Sequence, residues 1–238
     1  MTEQTLEQKL VFGSIRGDVS AVQDAIAEGV DVNARTSPTG VGQDNTALMW
    51  ASAEGHGDVV RLLLESGAQV NAINEASYTA LMYGAEGAHY DVVSHLLDFH
   101  ADIQVLNRYQ ETILMAIARA GFADLAQRLV SLGAEVNAVN WIGDTALYLA
   151  VEHSHSHVIR SLIACGGNVN TQNRGDWTPL MMAAARGDLE SMELLLEHGA
   201  DGDVQASWGS SVWQEAKKSC RSQGAIDLLR RYGITDVR

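Results

Sequence analysis

The apolar positions of this chain recur as two short helical stripes separated by a turn. Within residues 173–201 the stripes comprise Leu180, Ala183 and Ala184, then Met192, Leu195 and Leu196. Their spacing is that of one face of a helix. Gly187 separates the stripes, and Gly199 follows the second at the place where a left-handed residue closes a helix. The pattern predicts two short amphipathic helices that pack together and are joined to the next pair by a polar loop.

The pair of stripes returns every 33 residues. A hydroxyl residue stands before the first stripe of each unit, at Thr46, Thr79, Thr112, Thr145, Thr178 and Ser211. A serine or threonine at this place can accept a hydrogen bond from a free N–H of the first helical turn. A fixed period of this length predicts a repeat protein whose units each contact only their neighbours.

Each unit resembles the ankyrin repeat. The segment T-P-L-M-M-A-A-A-R-G begins at Thr178, and L-L-E-S-G-A-Q-V-N begins at Leu63. The resemblance implies an all-α repeat solenoid of ankyrin-type helix-turn-helix pairs with β-hairpin loops, the fingers, stacked into a curved array. We expect one domain over residues 1–238, with an N-terminal cap at 1–41 and a C-terminal cap at 206–238. The five full repeats are 42–73, 74–106, 107–139, 140–172 and 173–205.

Three features depart from the family pattern. Proline follows the threonine only at Pro179. The histidine of the family pattern is replaced by Met49, Met82, Met115, Tyr148 and Met181, a row that we interpret as a packed ladder. The first finger is lengthened by five residues within 37–42.

The resemblance also implies where a partner binds, because ankyrin arrays contact proteins with the finger tips and the exposed side of the first helices. The tips and the residues just before each first helix are Tyr78, Tyr109, Trp141, Ile142, Trp177 and Trp208. The first helices contribute Glu54, Glu86, Arg119, Tyr148, Glu152 and Arg186. Tryptophan and tyrosine are enriched at interface hot spots, so this aromatic row predicts a binding surface. The alternative is that the aromatics only stabilise neighbouring fingers.

The histidine run His153, His155 and His157 raises a second hypothesis, an enzyme or a metal-dependent protein. Three imidazoles so close in sequence can bind a transition metal ion. The run falls, however, at the turn between two helices, where ankyrin units carry histidine for structural reasons. Only Glu152 is near in sequence as a supporting partner. We therefore expect no metal and no other cofactor.

The asparagines of the V-N-A and V-N-T segments have two interpretations. They are Asn33, Asn71, Asn137 and Asn170. The resemblance implies that they satisfy backbone groups in the finger loop. In animal cells the same position of the family can be hydroxylated.

Composition restricts the classes of function. The chain is 46% hydrophobic and 6% aromatic, which suits a core built from many small units. No apolar run approaches the roughly 18 residues of a membrane span, and the first residues lack the pattern of a signal peptide. The nucleophile, zinc-protease and phosphate-binding motifs are missing from the sequence, so we expect no catalysis. We expect a cytoplasmic protein of bacterial origin.

Charge restricts the class of partner. A formal net charge of −14 opposes binding to nucleic acid and favours a protein that carries a basic patch. Cys165 and Cys220 lie two repeats apart, too far for a disulfide, so we expect free thiols. The sequence thus predicts a monomeric, non-catalytic protein–protein interaction module that binds through its concave face and finger tips and contacts no membrane.

Overall fold

The computed structural model describes residues 5–35, 44–207 and 209–236, and these ranges are built from short α-helices. The described helices are α1 (Leu6–Arg16), α2 (Val19–Ala27), α3 (Ala47–Ala53), α4 (Gly57–Glu65), α5 (Ala80–Glu86), α6 (Tyr90–Asp98), α7 (Ile113–Ala120), α8 (Ala123–Ser131), α9 (Ala146–Glu152), α10 (Ser156–Ala164), α11 (Pro179–Arg186), α12 (Leu189–Glu197), α13 (Val212–Lys218) and α14 (Ser222–Arg231). The five-residue insertion predicted within 37–42 lies outside the described residues.

The chain divides into two compact units, residues 1–108 and residues 109–238. In the first unit α1, α3 and α5 pack in one layer, α2, α4 and α6 pack in the other, and each pair joins the layers. The second unit has the same arrangement, with the odd-numbered helices from α7 to α13 in one layer and the even-numbered helices from α8 to α14 in the other. Within each unit the prediction of stacked helix pairs is confirmed.

The recurring hydroxyl residue begins the first helix of each pair, as predicted. The Oγ1 of Thr46 accepts a hydrogen bond from the backbone N–H of Met49, with a donor–acceptor distance of 3.3 Å. The same bond is made at Thr79, Thr112, Thr145, Thr178 and Ser211. Each bond satisfies an N–H that the first helical turn leaves without an intrahelical partner, so it defines where the helix starts.

The glycine predicted to close the second helix has a left-handed backbone. The angle φ is +90° at Gly67, +96° at Gly133 and +82° at Gly199. His100 adopts the same conformation, with φ of +59°, in the repeat that lacks glycine at this position. A Cβ atom makes this conformation unfavourable, which explains why the other repeats use glycine.

Aliphatic side chains fill the space between the layers. Leu63, Leu96, Leu129 and Leu195 are all fully buried. The methionines Met49, Met82, Met115 and Met181 are also buried, in agreement with their interpretation as packed residues. Alanines such as Ala47, Ala80, Ala146 and Ala183 are also buried, and their small side chains let successive helices approach closely.

The fingers are hydrogen-bonded turns without regular strands in the described residues. Only the isolated bridges Arg35–Thr46 and Gln205–Ser211 have strand-like pairing there. In the fourth full repeat the N–H of Asn140 donates to the carbonyl of Asp144 at 3.0 Å and closes a turn of five residues. So short a turn leaves no room for a ladder, and the expected β-hairpin is reduced to its tip.

Two expectations from composition concern the thiols and the membrane. Both Cys165 and Cys220 are free thiols in the structure, as expected. Within the described ranges, no helix combines the length and the apolar character needed to cross a bilayer.

Candidate functional site

Asparagine side chains hold the fingers in shape through hydrogen bonds to the finger backbone. The Oδ1 atom of Asn140 accepts hydrogen bonds from the N–H groups of Ile142 and Asp144, at 3.1 and 2.9 Å. Asn74 and Asn173 make the same two bonds in their own fingers. The sequence analysis missed this role, although the signal was present as an asparagine at Asn74, Asn107, Asn140 and Asn173, one repeat apart. The tips are therefore held in a defined conformation.

Three of the exposed apolar side chains of the second unit lie at two neighbouring finger tips. Trp141 is 52% exposed, Ile142 is 42% exposed and Tyr109 is 38% exposed. The N–H of Trp141 donates to the carbonyl of Tyr109 at 3.0 Å, and the rings of these two residues lie 6.2 Å apart. The N–H of Arg174 likewise donates to the carbonyl of Ile142 at 2.8 Å. Neighbouring tips are thus joined through their backbones, and the aromatic rings remain largely open to solvent.

The aromatic residues just before the first helices are less exposed than the tips. Trp177 is half-buried, and Tyr78 is half-buried beside Tyr83, with 5.2 Å between the ring centroids. The hydroxyl of Tyr78 donates to Glu86 at 3.0 Å. Burial, and next the charge of Glu86, raise the pKa of Tyr78 to about 12. Trp208, the remaining predicted aromatic, lies outside the described residues.

The predicted charged residues of the first helices differ in exposure and in pairing. Glu54 and Glu86 in the first unit are exposed, as is Arg186 in the second. Arg119 and Glu152 are half-buried, and Arg119 forms an ion pair with Glu111. The finger-side face of the second unit is therefore of mixed charge.

Tyr148 was assigned from the sequence both to the packed row with the methionines and to the exposed side of its helix, and the second assignment is wrong. Tyr148 is only 6% exposed. Burial, together with the charges of Asp144 and Glu152, raises its pKa above the ordinary value of tyrosine. Tyr148 occupies the same position of the repeat as the buried methionines, three residues after the threonine, and this position faces the core. A partner has little of its side chain to contact.

Beside Tyr148 lies a buried carboxylate that the sequence analysis did not single out. Asp144 is 4% exposed, and its Oδ1 accepts a hydrogen bond from the Nδ2 of Asn173 at 2.8 Å. Burial raises the pKa of Asp144, and the charges of Glu152 and Glu111 act in the same direction. The bond from Asn173 opposes this shift without cancelling it. This group holds one finger to the next and has no direct access to a partner.

Within the histidine run, His155 makes a structural contact with the preceding helix pair. The Nε2 of His155 donates to the carbonyl of Arg119 at 2.9 Å, and the ring packs against Gly121. In the first unit His56 and His89 make the same contact, to the carbonyls of Ile15 and Ala53. The rings of His153 and His155 stack with their centroids 6.1 Å apart. Among the described residues no group of three or more His, Cys, Asp or Glu is arranged to hold a metal. The structure thus offers no support for the metal-dependent or enzymatic hypothesis.

The asparagines of the V-N-A and V-N-T segments bridge consecutive repeats. The Nδ2 of Asn170 donates to the carbonyl of Gly199 at 3.1 Å, and its Oδ1 accepts from the N–H of Asp201 at 2.8 Å. Asn137 makes the equivalent two bonds in the preceding repeat. These side chains satisfy backbone groups, as the family resemblance implied, but the groups belong to the loop of the following repeat.

Comparisons with known proteins agree with this architecture. The family model for ankyrin repeats (3 copies) matches residues 10–108, 87–173 and 113–206. The chain is 35% identical over 68 residues to ankyrin repeat domain-containing protein 40 of Mus musculus, a match that covers 29% of this chain and only 18% of the mouse protein. The crystal structure of the human ASB11 ankyrin repeat domain superposes with a TM-score of 0.79 at 25% identity. That match covers 92% of this chain and 96% of the human domain.

Proposed function

Because this chain belongs to the ankyrin repeat family, whose members are generally protein–protein interaction modules, we propose that it binds a partner protein through its finger tips and the finger-side face of its first helices. In the curved array that the family resemblance implies, this face is the concave one. The module acts by occupancy and performs no chemistry of its own. Its partner carries a basic patch that complements the net charge of −14. We further propose that it acts as a cytoplasmic monomer.

The exposed tryptophan at the tip of a finger carries this proposal. More than half of the Trp141 side chain is in contact with solvent, and Ile142 and Tyr109 extend the apolar surface on both sides. Trp and Tyr are the residues most often found as interface hot spots, because a partner removes a large apolar area from water with few rotors to immobilise. The hydrogen bonds within and between the fingers hold this surface in place before a partner arrives.

The alternative role, in which the aromatics only stabilise the fingers, accounts for part of the geometry. The contact between the Tyr109 and Trp141 rings is of the kind that contributes about 0.5–1.5 kcal/mol. It leaves 52% of Trp141 exposed, however, so most of the apolar area gains nothing from the contact. The two roles predict different effects of mutation on stability and on binding.

The test is affinity capture from a lysate of the source cell, followed by measurement of the dissociation constant with the purified partner. The bait is the wild-type chain beside a Trp141→Ala, Ile142→Ala double variant. The matched control is Leu132→Ala, which removes an equally exposed side chain, 53% accessible, from the C-terminal end of α8 and outside the finger tips. We expect the double variant to bind about tenfold more weakly or worse and the control to bind as wild type.

Thermal unfolding of the same proteins separates binding from stabilisation. A binding surface predicts a melting temperature of the double variant within a few degrees of wild type. A clear loss of stability together with unchanged capture would show that the tip aromatics serve the fingers alone. Equal capture by all three proteins would place the binding surface elsewhere.

A further inference from the structure

Two consecutive first helices of the first unit carry an aromatic ring followed closely by a carboxylate. Glu54, the residue after α3, follows Trp50 by four residues, and on α5 Glu86 follows Tyr83 by three, so the rings are at equivalent positions of the repeat and the carboxylates one position apart. Residues three or four apart lie on the same face of a helix. Trp50 and Tyr83 are half-buried, whereas Glu54 and Glu86 are exposed. The two helices pack side by side in one layer of the unit, so the two pairs lie on neighbouring helices.

Hydrogen bonds hold the second of these pairs in a defined geometry. The hydroxyl of Tyr83 accepts a bond from the Nδ2 of Asn74 at 3.0 Å. Glu86 accepts from the hydroxyl of Tyr78 at 3.0 Å and from the Nδ2 of Asn107 at 3.1 Å, both at the same oxygen, Oε1. Its carboxylate is therefore oriented by two donors, so little further conformational entropy of this side chain is lost when a ligand binds it.

The equivalent positions in the second unit are occupied by different chemistry. On α7, α9 and α11 the residues equivalent to Trp50 and Tyr83 are Ala116, Leu149 and Met182, and the charged residues three or four positions after them are Arg119, Glu152 and Arg186. These first helices have no aromatic ring at this position, and two of the three charges are positive. The aromatic–acidic face is thus a property of the first unit and not of the repeat pattern.

The charge of the first unit favours a cation on this face. Residues 1–108 contain 15 Asp and Glu against 5 Lys and Arg, a formal net charge of −10, so most of the −14 of the chain lies here. A cationic partner is attracted from a distance and then meets exposed carboxylates on helices that also carry aromatic rings.

We propose that the finger-side face of α3 and α5, defined by Trp50, Glu54, Tyr83 and Glu86, binds an arginine-bearing segment of the partner protein. A guanidinium group stacks on the face of an aromatic ring and at the same time donates hydrogen bonds to a nearby carboxylate. An ammonium group has no plane to stack and no fork to match the carboxylate, so arginine fits better than lysine. This inference rests on the proposed function and specifies the chemistry of the partner.

Fluorescence anisotropy with defined peptides tests the proposal without knowledge of the partner. The probe is a fluorescein-labelled peptide in which arginine alternates with serine; matched peptides carry lysine, citrulline or glutamate in place of arginine. We expect the full chain to bind the arginine peptide most tightly, the lysine peptide more weakly, and the other two not at all. Equal binding of the arginine and lysine peptides would overturn the assignment to arginine.

A charge-neutral variant locates the binding. Glu54→Gln with Glu86→Gln should weaken binding of the arginine peptide about tenfold or more, and glutamine at position 86 still accepts the bonds from Tyr78 and Asn107. The matched control is Asp58→Asn with Glu65→Gln, which removes two exposed carboxylates from α4 in the other layer of the same unit and should change the affinity by less than about twofold. Equal losses in both proteins would show that only net charge matters, and unchanged binding by the double variant would overturn the site.

The same proteins distinguish failure of this inference from failure of the proposed function. If wild type captures a partner that the finger-tip double variant loses, and the arginine peptide does not bind, then the module binds proteins by a different chemistry. If the chain captures no partner but binds the arginine peptide at α3 and α5, then this face stands and the finger-tip proposal fails.

Discussion

At the scale of single residues, one position of the repeat carries a neutral side chain in one unit and a charged one in the other. Asn45 accepts a hydrogen bond from the Nδ2 of Asn74 at 2.7 Å. Asp144 stands at the equivalent position three repeats later and accepts the same bond from Asn173 at 2.8 Å. Both acceptors are buried. An amide makes this bond without the cost of burying a charge, whereas a carboxylate bears that cost.

Replacing Asp144 by Asn should therefore stabilise the chain at neutral pH. The pKa of Asp144 is raised in the folded state, so the folded protein binds this proton more tightly than the unfolded chain does. The stability that the group contributes is greatest at low pH and is lost as the pH rises through its folded-state pKa. We expect a gain of about 1 kcal/mol in the free energy of unfolding at neutral pH, which shrinks towards about pH 4.

Chemical denaturation at neutral and acidic pH measures this effect. The control is Asp58→Asn, because that side chain is 82% exposed and its replacement should change stability by less than about 0.5 kcal/mol. A destabilised Asp144→Asn protein at neutral pH would mean that the carboxylate has a favourable partner that the burial argument omits.

At the scale of the helix pair, glycine and histidine occur together one repeat apart. Gly17, Gly55 and Gly121 end first helices or follow them, and each lies under the ring of a histidine in the next pair. Where Asp188 replaces that histidine, the position beneath it is Ser154 rather than glycine. A Cβ atom is thus tolerated only where no imidazole covers the backbone.

Gly121→Ala should be more destabilising than Gly133→Ala in the same pair. Both glycines have positive φ, +86° and +96°, which costs an alanine about 1–2 kcal/mol. An ideal Cβ at position 121 would lie 2.9 Å from Cε1 of His155, whereas at position 133 it would meet nothing within 4 Å. We expect about 2–4 kcal/mol of lost stability for Gly121→Ala and about 1–2 kcal/mol for Gly133→Ala.

Urea unfolding of the two variants decides between these expectations, and a third variant adds a direct check. Combining Gly121→Ala with His155→Ala removes the clash and should recover part of the loss. Equal destabilisation by the two alanines would show that the backbone conformation alone, and not the histidine above it, determines the need for glycine.

Some features of the helix pair could be read from the sequence, and others could not. Thr46 and its equivalents were predictable as helix starts because a cap bond joins residues only three apart, so the signal is local. The role of Asn140 and its equivalents was missed because it depends on how the backbone of the finger folds around the side chain, and the sequence does not show that conformation. Tyr148 was predicted both as a packed and as an exposed residue, because its exposure depends on how the neighbouring first helices pack, which the sequence of one repeat does not contain.

At the scale of the whole molecule, the chain carries a large excess of negative charge. The formal net charge is −14, and ion pairs such as Lys217–Asp236 and Arg231–Glu193 lie towards the C-terminal end of the chain. Repulsion between exposed carboxylates weakens folding and is screened over about 10 Å at 0.1 M salt.

Sodium chloride should therefore raise the melting temperature of the chain. We expect an increase of a few degrees between low salt and about 0.15 M, measured by calorimetry. A variant with Asp58, Glu65 and Glu75 replaced by their amides carries less negative charge and should show a smaller increase. A melting temperature that falls with salt would mean that attractive ion pairs outweigh the repulsion.

The sequence by itself determined the period, the helix pairs, the hydroxyl residue that begins each first helix, the closing glycines and the membership of the repeat family. These features depend on contacts within a few residues or repeat identically in every unit. Only the tertiary structure decided which side chains a partner can reach. Trp141 is open while Tyr148 is buried, and His155 is held by a backbone carbonyl rather than available to a metal. Exposure and pairing depend on the side chains of the adjacent repeats, which lie about 33 residues away along the chain but in direct contact in the fold.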